Sequence, residues 1–394
     1  MTTSPTPIQI PATVVEIART LEAAGFEAWC VGGSLRDQLL NLPHTDHDIA
    51  TSARPEQVQG LFPHTVAVGI KYGTVGVLDR RRVLHEVTTF RRDVTTDGRH
   101  AVVEYGVSLE EDLARRDFTM NAIAYHPLRH DWRDPFEGSA DIRARLVRAV
   151  GEPARRFEED YLRILRAVRF AARFDFSIDA ATWEAARAAS EGLAQLSAER
   201  VRDEWFKSLR TAQSLVRLTT LWHEVGAARI WIPELDVAIA VKADHLPLAD
   251  RDPVLLTALL CHDAPSVLRR LKASTAEVSR AEAIVKGPAG PPSADDEVVR
   301  RWLAGVASAD DDLLKIWQLR HGAPPPWEGT VREIRARGDA ISRSDLLVSG
   351  TDLQALGATG PAIGTILAAL LDRVLEDPAL NTRDSLLTIA KELL

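Results

Sequence analysis

Two glycines and two aspartates lie close together near the start of this chain: Gly32-Gly33-Ser34, then Asp46 and Asp48 with one residue between them. The segment Phe26–Val31, which reads as a short buried strand, precedes the glycines and the helix-like Leu35–Leu40 follows. The order is therefore strand, glycine turn, helix, strand. Glycines at such a turn let backbone approach a phosphate, and the helix behind them offers free N–H groups and a positive dipole end. Arg36, in the first turn of that helix, is placed to grip a phosphate with two donors. Aspartates at i and i+2 on a strand share a face, where their oxygens suit a hard cation such as Mg²⁺. A metal held there polarises a phosphate and activates an attacking hydroxyl. Taken singly, Gly32-Gly33 also reads as a tight turn, and Asp46 with Asp48 as solvated loop charge. Jointly and in this order they read as a phosphate and metal site. Glu86, in the Val83–Phe90 segment, is a candidate third carboxylate, provided its strand pairs with that of Asp46.

A second concentration of chemistry follows. Between Arg143 and Arg173 stand nine arginines and four acidic residues, in a chain whose net charge is −8. An acidic protein with such a local basic strip can still bind phosphates. Drawn as one helix from Glu158 to Arg173, the segment puts Arg163, Arg166, Arg169 and Arg173 on one face. Ile164, Leu165, Val168 and Ala172 fall opposite. Leu162 and Phe170 fall on the basic side and are expected to pack against the preceding domain or a base. Asp160 and Arg163, at i and i+3, are surface neighbours; from spacing alone they read as a helix ion pair worth a few tenths of a kcal/mol.

The elements that must position these groups are mixed at first and helical later. Val14, Ile17 and Leu21 mark an amphipathic helix stopped by Gly25. Thr74–Leu78 and Val83–Phe90 flank Asp79–Arg82 as a hairpin. Ser108-x-x-Glu111 is a capping box opening a helix that runs into Arg115-Arg116-Asp117. Beyond about residue 150 no convincing strand pattern remains, and Gly287–Pro292 and Gly322–Pro326 break the helical periodicity. The expected class is α+β, a small mixed N-terminal sheet domain followed by an all-helical remainder. At 394 residues the chain is long enough for two to three domains of roughly 150 residues. Its longest apolar stretches, around Leu255–Cys261 and Ile363–Leu371, fall far short of the roughly 20 residues of a membrane span. The first ten residues carry no Lys or Arg, and two cysteines cannot build a disulfide framework. A reduced, soluble, cytoplasmic protein is expected.

Here the motifs acquire a family. Gly32-Gly33-Ser34-Leu35-Arg36-Asp37 with Asp46-x-Asp48 resembles the signature of the polymerase-β nucleotidyltransferase superfamily. Four further blocks narrow the resemblance: Arg115-Arg116-Asp117-Phe118-Thr119-Met120-Asn121-Ala122, Asp134-Pro135-Phe136-Glu137-Gly138, Glu159-Asp160-Tyr161-Leu162-Arg163, and Glu199-Arg200 with Glu204 and Lys207. In this order they resemble the five motifs of class II CCA tRNA nucleotidyltransferases and bacterial poly(A) polymerases. Gly350-Thr351-Asp352-Leu353 and Gly360-Pro361-Ala362-Ile363-Gly364 are similar to the tail of the CCA-adding branch. The resemblance covers nearly the whole chain. It implies a catalytic head at 1–152, a base-recognising neck at 153–212, a body at 213–325 and a tRNA-binding tail at 326–394.

It also implies roles. Asp46 and Asp48 would hold Mg²⁺ and be catalytic, while Gly33, Arg36, Arg116, Asp117, Asp160, Arg163, Arg166 and Arg169 would bind the nucleotide. Arg116 and Asp117 match the motif that meets the incoming sugar and phosphates, Asp117 accepting from a ribose hydroxyl. Asp160 and Arg163 match the base-reading pair, and their chemistry suits it: a carboxylate only accepts hydrogen bonds and a guanidinium only donates them. Cytosine and adenine each place an amino donor beside a ring acceptor. Uracil and guanine place a carbonyl where the carboxylate needs a donor, which repels. CTP and ATP would thus be admitted without a nucleic-acid template, and the tRNA 3′ end extended with release of pyrophosphate.

Members of the family differ in whether they add CCA, only CC, only the final A, or a poly(A) run. The 90–108 segment, including Arg91-Arg92-Asp93 and Asp97-Gly98-Arg99-His100, resembles the flexible loop that CC-only enzymes lack, although it departs from the fullest pattern after His100. The compact end at Ala390-Lys391-Glu392-Leu393-Leu394 speaks against a poly(A) polymerase. CCA addition is expected first, A addition second and poly(A) synthesis third, with a non-catalytic RNA-binding scaffold as the rival outside enzymes. Cys261-His262-Asp263 with His245 is read as structural rather than as a phosphohydrolase metal site, and Trp205, Trp222, Trp302 and Trp317 as packing residues. No obligate protein partner and no membrane contact are expected.

Overall fold

The structure, a computed structural model, describes residues 8–43, 47–96, 101–306 and 309–394. Asp46 and the Asp97-Gly98-Arg99-His100 part of the loop segment lie outside the described residues. The chain divides into two compact units, Met1–Pro233 and Glu234–Leu394.

The first unit is built on a seven-stranded mixed sheet. Helix α1 (Ala12–Ala23) leads into β1 (Ala28–Val31), α2 (Gly33–Leu39), β2 (Asp48–Thr51), α3 (Pro55–Leu61), β3 (Thr65–Gly69), β4 (Thr74–Leu78) and β5 (Leu84–Thr89). A separate hairpin, β6 (Arg91–Thr96) and β7 (Ala101–Tyr105), precedes α4 (Leu109–Ala114); β8 (Ala124–Tyr125) and β9 (Trp132–Arg133) then complete the sheet in the order β3-β4-β5-β2-β1-β8-β9. The pairings are antiparallel except β2 with β5, which run parallel with Ile49 beside Val87.

Helix α1 buries Val14, Ile17, Ala18 and Leu21 on one side of the sheet, against Ala28, Cys30, Ile49 and Val87. Trp29, Val31 and Ala50 point the other way and pack with Phe90, Leu109 and Leu113. The central strand β1 is therefore covered on both faces, and its sequence Ala-Trp-Cys-Val is apolar throughout rather than alternating. Ser108 opens α4 in the expected way, accepting from the Glu111 N–H while Glu111 returns the bond to the Ser108 N–H.

After α5 (Gly138–Arg143) and β10 (Leu146–Val147), the arginine-rich segment departs from its single-helix reading. It forms α6 (Pro153–Glu159) and α7 (Leu162–Phe174), with a break at Asp160 and Tyr161. Asp160 is extended (φ −159°, ψ 104°), and its side chain accepts from the Leu162 N–H, capping the second helix instead of continuing the first. Within α7 the sided pattern holds: Ile164, Leu165, Val168 and Ala172 are buried. Phe170 packs edge-on against Phe118, consistent with contact to the preceding domain. One short strand also lies beyond residue 150. β11 (Ser177–Ile178) pairs parallel with β10 through two residues, too few for an alternation pattern to register. Helices α8 (Ala180–Ala188) and α9 (Ala198–Thr211) follow, α9 packing along α7.

Among the described residues the second unit is helical, apart from an isolated bridge between Leu235 and Cys261. Its loops include the two Gly/Pro clusters, after Thr275–Lys286 and after Asp310–His321. A core of Leu346, Val348, Leu353, Leu370, Val374 and Leu386 gathers its C-terminal helices. Trp205, Trp222 and Trp302 are buried; Trp317 is half-buried and stacks on His321. Asp263 caps Ala264–Arg270, and His262 is exposed beside Asp236. No helix of the described residues is long and apolar enough to cross a membrane.

Candidate active site

A cleft of about 380 Å³ opens where β1 turns into α2, and residues distant in sequence meet in its wall. Gly32, Gly33 and Arg36 come from the turn and α2, and Asp48 from the first residue of β2. Arg115, Arg116, Asp117 and Asn121 follow α4, and Asp160, Arg163 and Arg166 come from the break before α7 and its first turns. Five guanidiniums and three carboxylates therefore line it. That balance suits a polyanion bound beside a cation-holding acid.

Gly32 shows why the turn needs glycine. Its φ is +82°, and a Cβ there would stand 3.2 Å from Arg116 Nη1 and 3.3 Å from Asp48 Oδ2. Gly33, the residue expected to contact phosphate, has an ordinary φ and lies against Arg36. Arg36 is itself buried. It donates from Nη1 to Asn121 Oδ1 (2.6 Å) and from Nε to Asp37 Oδ1 (2.8 Å), and its guanidinium lies over Phe170 and Phe174. Burial lowers its pKa, which Asp37 partly opposes. Asp37 in turn accepts from Arg173 on α7.

Asp117 is held from every side. Oδ1 accepts from the Phe118 N–H and from Asn121 Nδ2, both at 2.8 Å, and Oδ2 accepts from Arg166 Nε and Nη2 at 2.8 and 2.6 Å. Burial pulls the Asp117 carboxyl up, but Arg166, Asn121 and the Phe118 N–H outweigh it and hold it at about 2. Asp117 raises the Arg166 pKa correspondingly. Arg116 donates to Asp112 Oδ2 and the Asn121 carbonyl, and its buried Nε has no partner among the described residues.

Asp160 and Arg163 share this cleft without forming the ion pair that their spacing suggested. The break at Asp160 turns its carboxylate to Arg200 on α9, whose Nη2 lies 2.7 Å from Oδ2. Arg163 bonds Glu159 Oε2 (2.8 Å), the Arg156 carbonyl and the Arg115 carbonyl. Arg169 is not part of the cleft wall. It is buried against Glu204 and lies over the Phe170 ring. Burial lowers its pKa and Glu204 opposes the fall.

Asp48 and Glu86 are brought together by the sheet. The parallel register sets Ile49 beside Val87, so the residues before each, Asp48 and Glu86, stand side by side on one face. The donor set that Asp46, Asp48 and Glu86 offer is all oxygen, which fits a hard divalent cation. Among the described residues no three His, Cys, Asp or Glu side chains converge on one point. Both cysteines are buried, which pushes the Cys30 thiol up to about 12 and raises that of Cys261. The cleft also contains Asn121 and Arg115, which sequence reasoning did not single out as site residues. Asn121 and Arg115 were visible only as members of the Arg115–Ala122 block.

A mixed sheet with a glycine turn and a strand-borne carboxylate, closed by an arginine-lined helix, makes this chain a nucleotidyltransferase. Residues 28–148 match the model of the poly(A) polymerase head domain, and residues 175–239 that of a probable RNA- and SrmB-binding site of polymerase A. A CCA-adding enzyme of Geobacillus stearothermophilus is 36% identical over 383 residues, 93% of each chain. One of Leuconostoc mesenteroides is 46% identical over 213 residues, a match that spans about half of that relative (52% of each chain). Among solved structures, the Bacillus stearothermophilus CCA-adding enzyme in complex with CTP is similar, with a TM-score of 0.76 and 33% identity over 97% of each chain. The chain belongs to the family of CCA-adding enzymes and bacterial poly(A) polymerases.

Proposed function

We infer that this protein adds CMP and AMP, from CTP and ATP, to the 3′ end of tRNA without a nucleic-acid template, and that it does so in the cytoplasm. One observation carries the reading: Asp160 and Arg163 line the same cleft as Asp48, Arg116 and Asp117. A base-reading pair and a phosphate-transfer site then serve one bound nucleotide. Each Asp160 oxygen accepts one bond from the protein, from Leu162 or Arg200, and keeps a further lone pair for a base amino group. Arg163, fixed by Glu159 and two carbonyls, supplies the donor that cytosine and adenine accept.

Arg116, with its unpartnered Nε, and Arg36 are the residues we assign to the triphosphate, with Gly32 and Gly33 giving it room. Asp117 is filled by four donors in this structure, so a ribose hydroxyl would have to share or displace one of them. Arg166 orients Asp117, and Arg169 acts one step behind, anchoring α7 on Glu204. Asp46 and Asp48, with Glu86 alongside, would hold Mg²⁺, which supplies polarisation of the α-phosphate and activation of the tRNA 3′-hydroxyl. The hydroxyl oxygen then bonds to the α-phosphorus as the bond to pyrophosphate breaks. We propose the same fourfold division into head, neck, body and tail, at 1–152, 153–212, 213–325 and 326–394.

The nearly full-length match to a CCA-adding enzyme favours complete CCA addition over addition of A alone or a poly(A) run. The deciding experiment supplies Mg²⁺, CTP and ATP with three tRNAs, ending at the discriminator base, at C and at CC. All three should reach CCA and stop. Extension of the last alone identifies an A-adding enzyme, long runs of A a poly(A) polymerase, and no incorporation a scaffold.

A further inference from the structure

The sheet does not end at the carboxylates. Gly76 on β4 lies beside Glu86, and Val66 on the edge strand β3 lies beside Gly76, so these positions share the face of Asp48. Leu84, two residues along β5, shares it too, and Val68, beyond an irregularity in β3 after Val66, comes back to it over Gly76. Val66, Val68 and Leu84 are 43%, 44% and 41% exposed. A Cβ on Gly76 would meet Leu84 Cδ1 at 2.6 Å and Val68 Cγ2 at 2.8 Å, so these two side chains close over the glycine and make the surface continuous. It is a small aliphatic shelf on an exposed sheet face.

The shelf has a basic rim. Past Leu84 the chain turns through Asp79–Arg82, which puts three consecutive arginines, Arg80, Arg81 and Arg82, at the end of the sheet that carries Asp48 and Glu86. Leu84 is two residues from Glu86 and Arg82 four, or roughly 7 and 13 Å at the rise of a strand. All three arginines are exposed, and Arg80 also comes within 4.0 Å of Glu16 on α1, across the other face of the sheet. The turn is fixed by backbone: Asp79 Oδ1 accepts from the Arg81 and Val83 N–H groups, both at 2.8 Å. An occupant must therefore be apolar on its faces and anionic along its edge, and must reach the carboxylates. Single-stranded RNA has this character, with flat bases and sugars strung on phosphates. A protein strand adding to β3 would use neither the arginines nor the continuity with Asp48.

We propose that the shelf of Val66, Val68 and Leu84, with the Arg80–Arg82 turn, seats the last nucleotides of the tRNA strand and delivers their 3′-hydroxyl to Asp48 and Glu86. The proposal rests on the tRNA-extending reading and adds the path by which the acceptor reaches the site. The arginines take the phosphates of the strand and the shelf takes its sugars and bases. CTP and ATP are bound elsewhere, among Arg36, Arg116, Asp160 and Arg163.

The test uses the full chain carrying Arg80→Ala with Arg81→Ala and, separately, Leu84→Asp. Both should raise KM for tRNA about tenfold and leave KM for CTP within about twofold. The arginine variant should also flatten the fall of kcat/KM for tRNA with salt, by roughly 0.7 in log–log slope for each phosphate no longer neutralised, and Arg80→Lys with Arg81→Lys should restore it. Unchanged KM for tRNA and unchanged salt slope, with an active parent enzyme, overturn the proposal alone, whatever protein the face then binds. A parent enzyme that extends no tRNA overturns the functional reading first and the proposal with it.

Discussion

Asp117 shows what one buried carboxylate does for both stability and chemistry. It accepts four hydrogen bonds, two of them from Arg166, so its charge is neutralised in the cleft wall where it is itself mostly buried. Its folded pKa of about 2 lies below the ordinary aspartate value near 3.9. A depressed pKa means that the folded state favours the anion. The stability this adds is complete above about pH 4 and is lost as pH falls toward 2. The size of the shift corresponds to about 2–3 kcal/mol. In acid-unfolding curves the parent protein should therefore lose about 2 kcal/mol more than Asp117→Asn between pH 4 and 2. Parallel curves would show that Arg166 does not stabilise the charged form. On the proposed nucleotide-binding role of Asp117, these hydrogen bonds would also position it, and Asp117→Asn should slow nucleotide addition at neutral pH.

At the scale of elements, α7 carries the argument. Its buried face anchors it, and its arginine face reaches in three directions: Arg163 to the Arg115 carbonyl, Arg166 to Asp117 and Arg173 to Asp37. Arg169 faces α9 instead, where Glu204 neutralises it in a buried site. Removing one member of such a pair leaves an uncompensated buried charge, at a typical cost of about 3–5 kcal/mol. Glu204→Ala should thus lower the unfolding free energy by about 3–5 kcal/mol in denaturant titrations, and Glu204→Gln by less. A loss below about 1 kcal/mol for the alanine variant would mean that Arg169 finds water or another acceptor. The periodicity of α7 was readable because its apolar positions repeat over thirteen residues. The break at Asp160 was not, because a capping aspartate and an exposed helical one look alike until the Leu162 N–H is placed. The glycine turn and Asp48 were legible from local chemistry, as each needs only its neighbours. The register that sets Glu86 beside Asp48 was not legible, since parallel pairing joins strands far apart in sequence. Arg169 was assigned to the nucleotide because it shares a helical face with Arg166; only the position of α9 diverts it.

At the scale of the whole molecule, the chain separates into two compact units. Every residue lining the cleft belongs to Met1–Pro233, as do three separate apolar clusters. A stretch of that length can bury over two-thirds of the surface its unfolded chain exposes. Residues 1–233 are therefore expected to fold alone and to bind CTP within about threefold of the full chain's affinity, since the shortened chain keeps the whole cleft wall. Extension of tRNA should not survive so well. The acceptor end is only one part of a large polyanion, and a second unit that held another part, as the proposed tail would, would raise the effective concentration of the 3′ end at the cleft. Removing such a second anchor typically costs a factor of about 10²–10⁴. The shortened chain should show a KM for tRNA raised by about 100-fold or more, with kcat at saturating tRNA changed far less. Separate titrations with CTP and with tRNA lacking its last nucleotide read the two quantities. If the fragment extended tRNA with the KM of the full chain, Glu234–Leu394 would have no part in holding the substrate, and the tRNA-binding role of the tail would have to be abandoned.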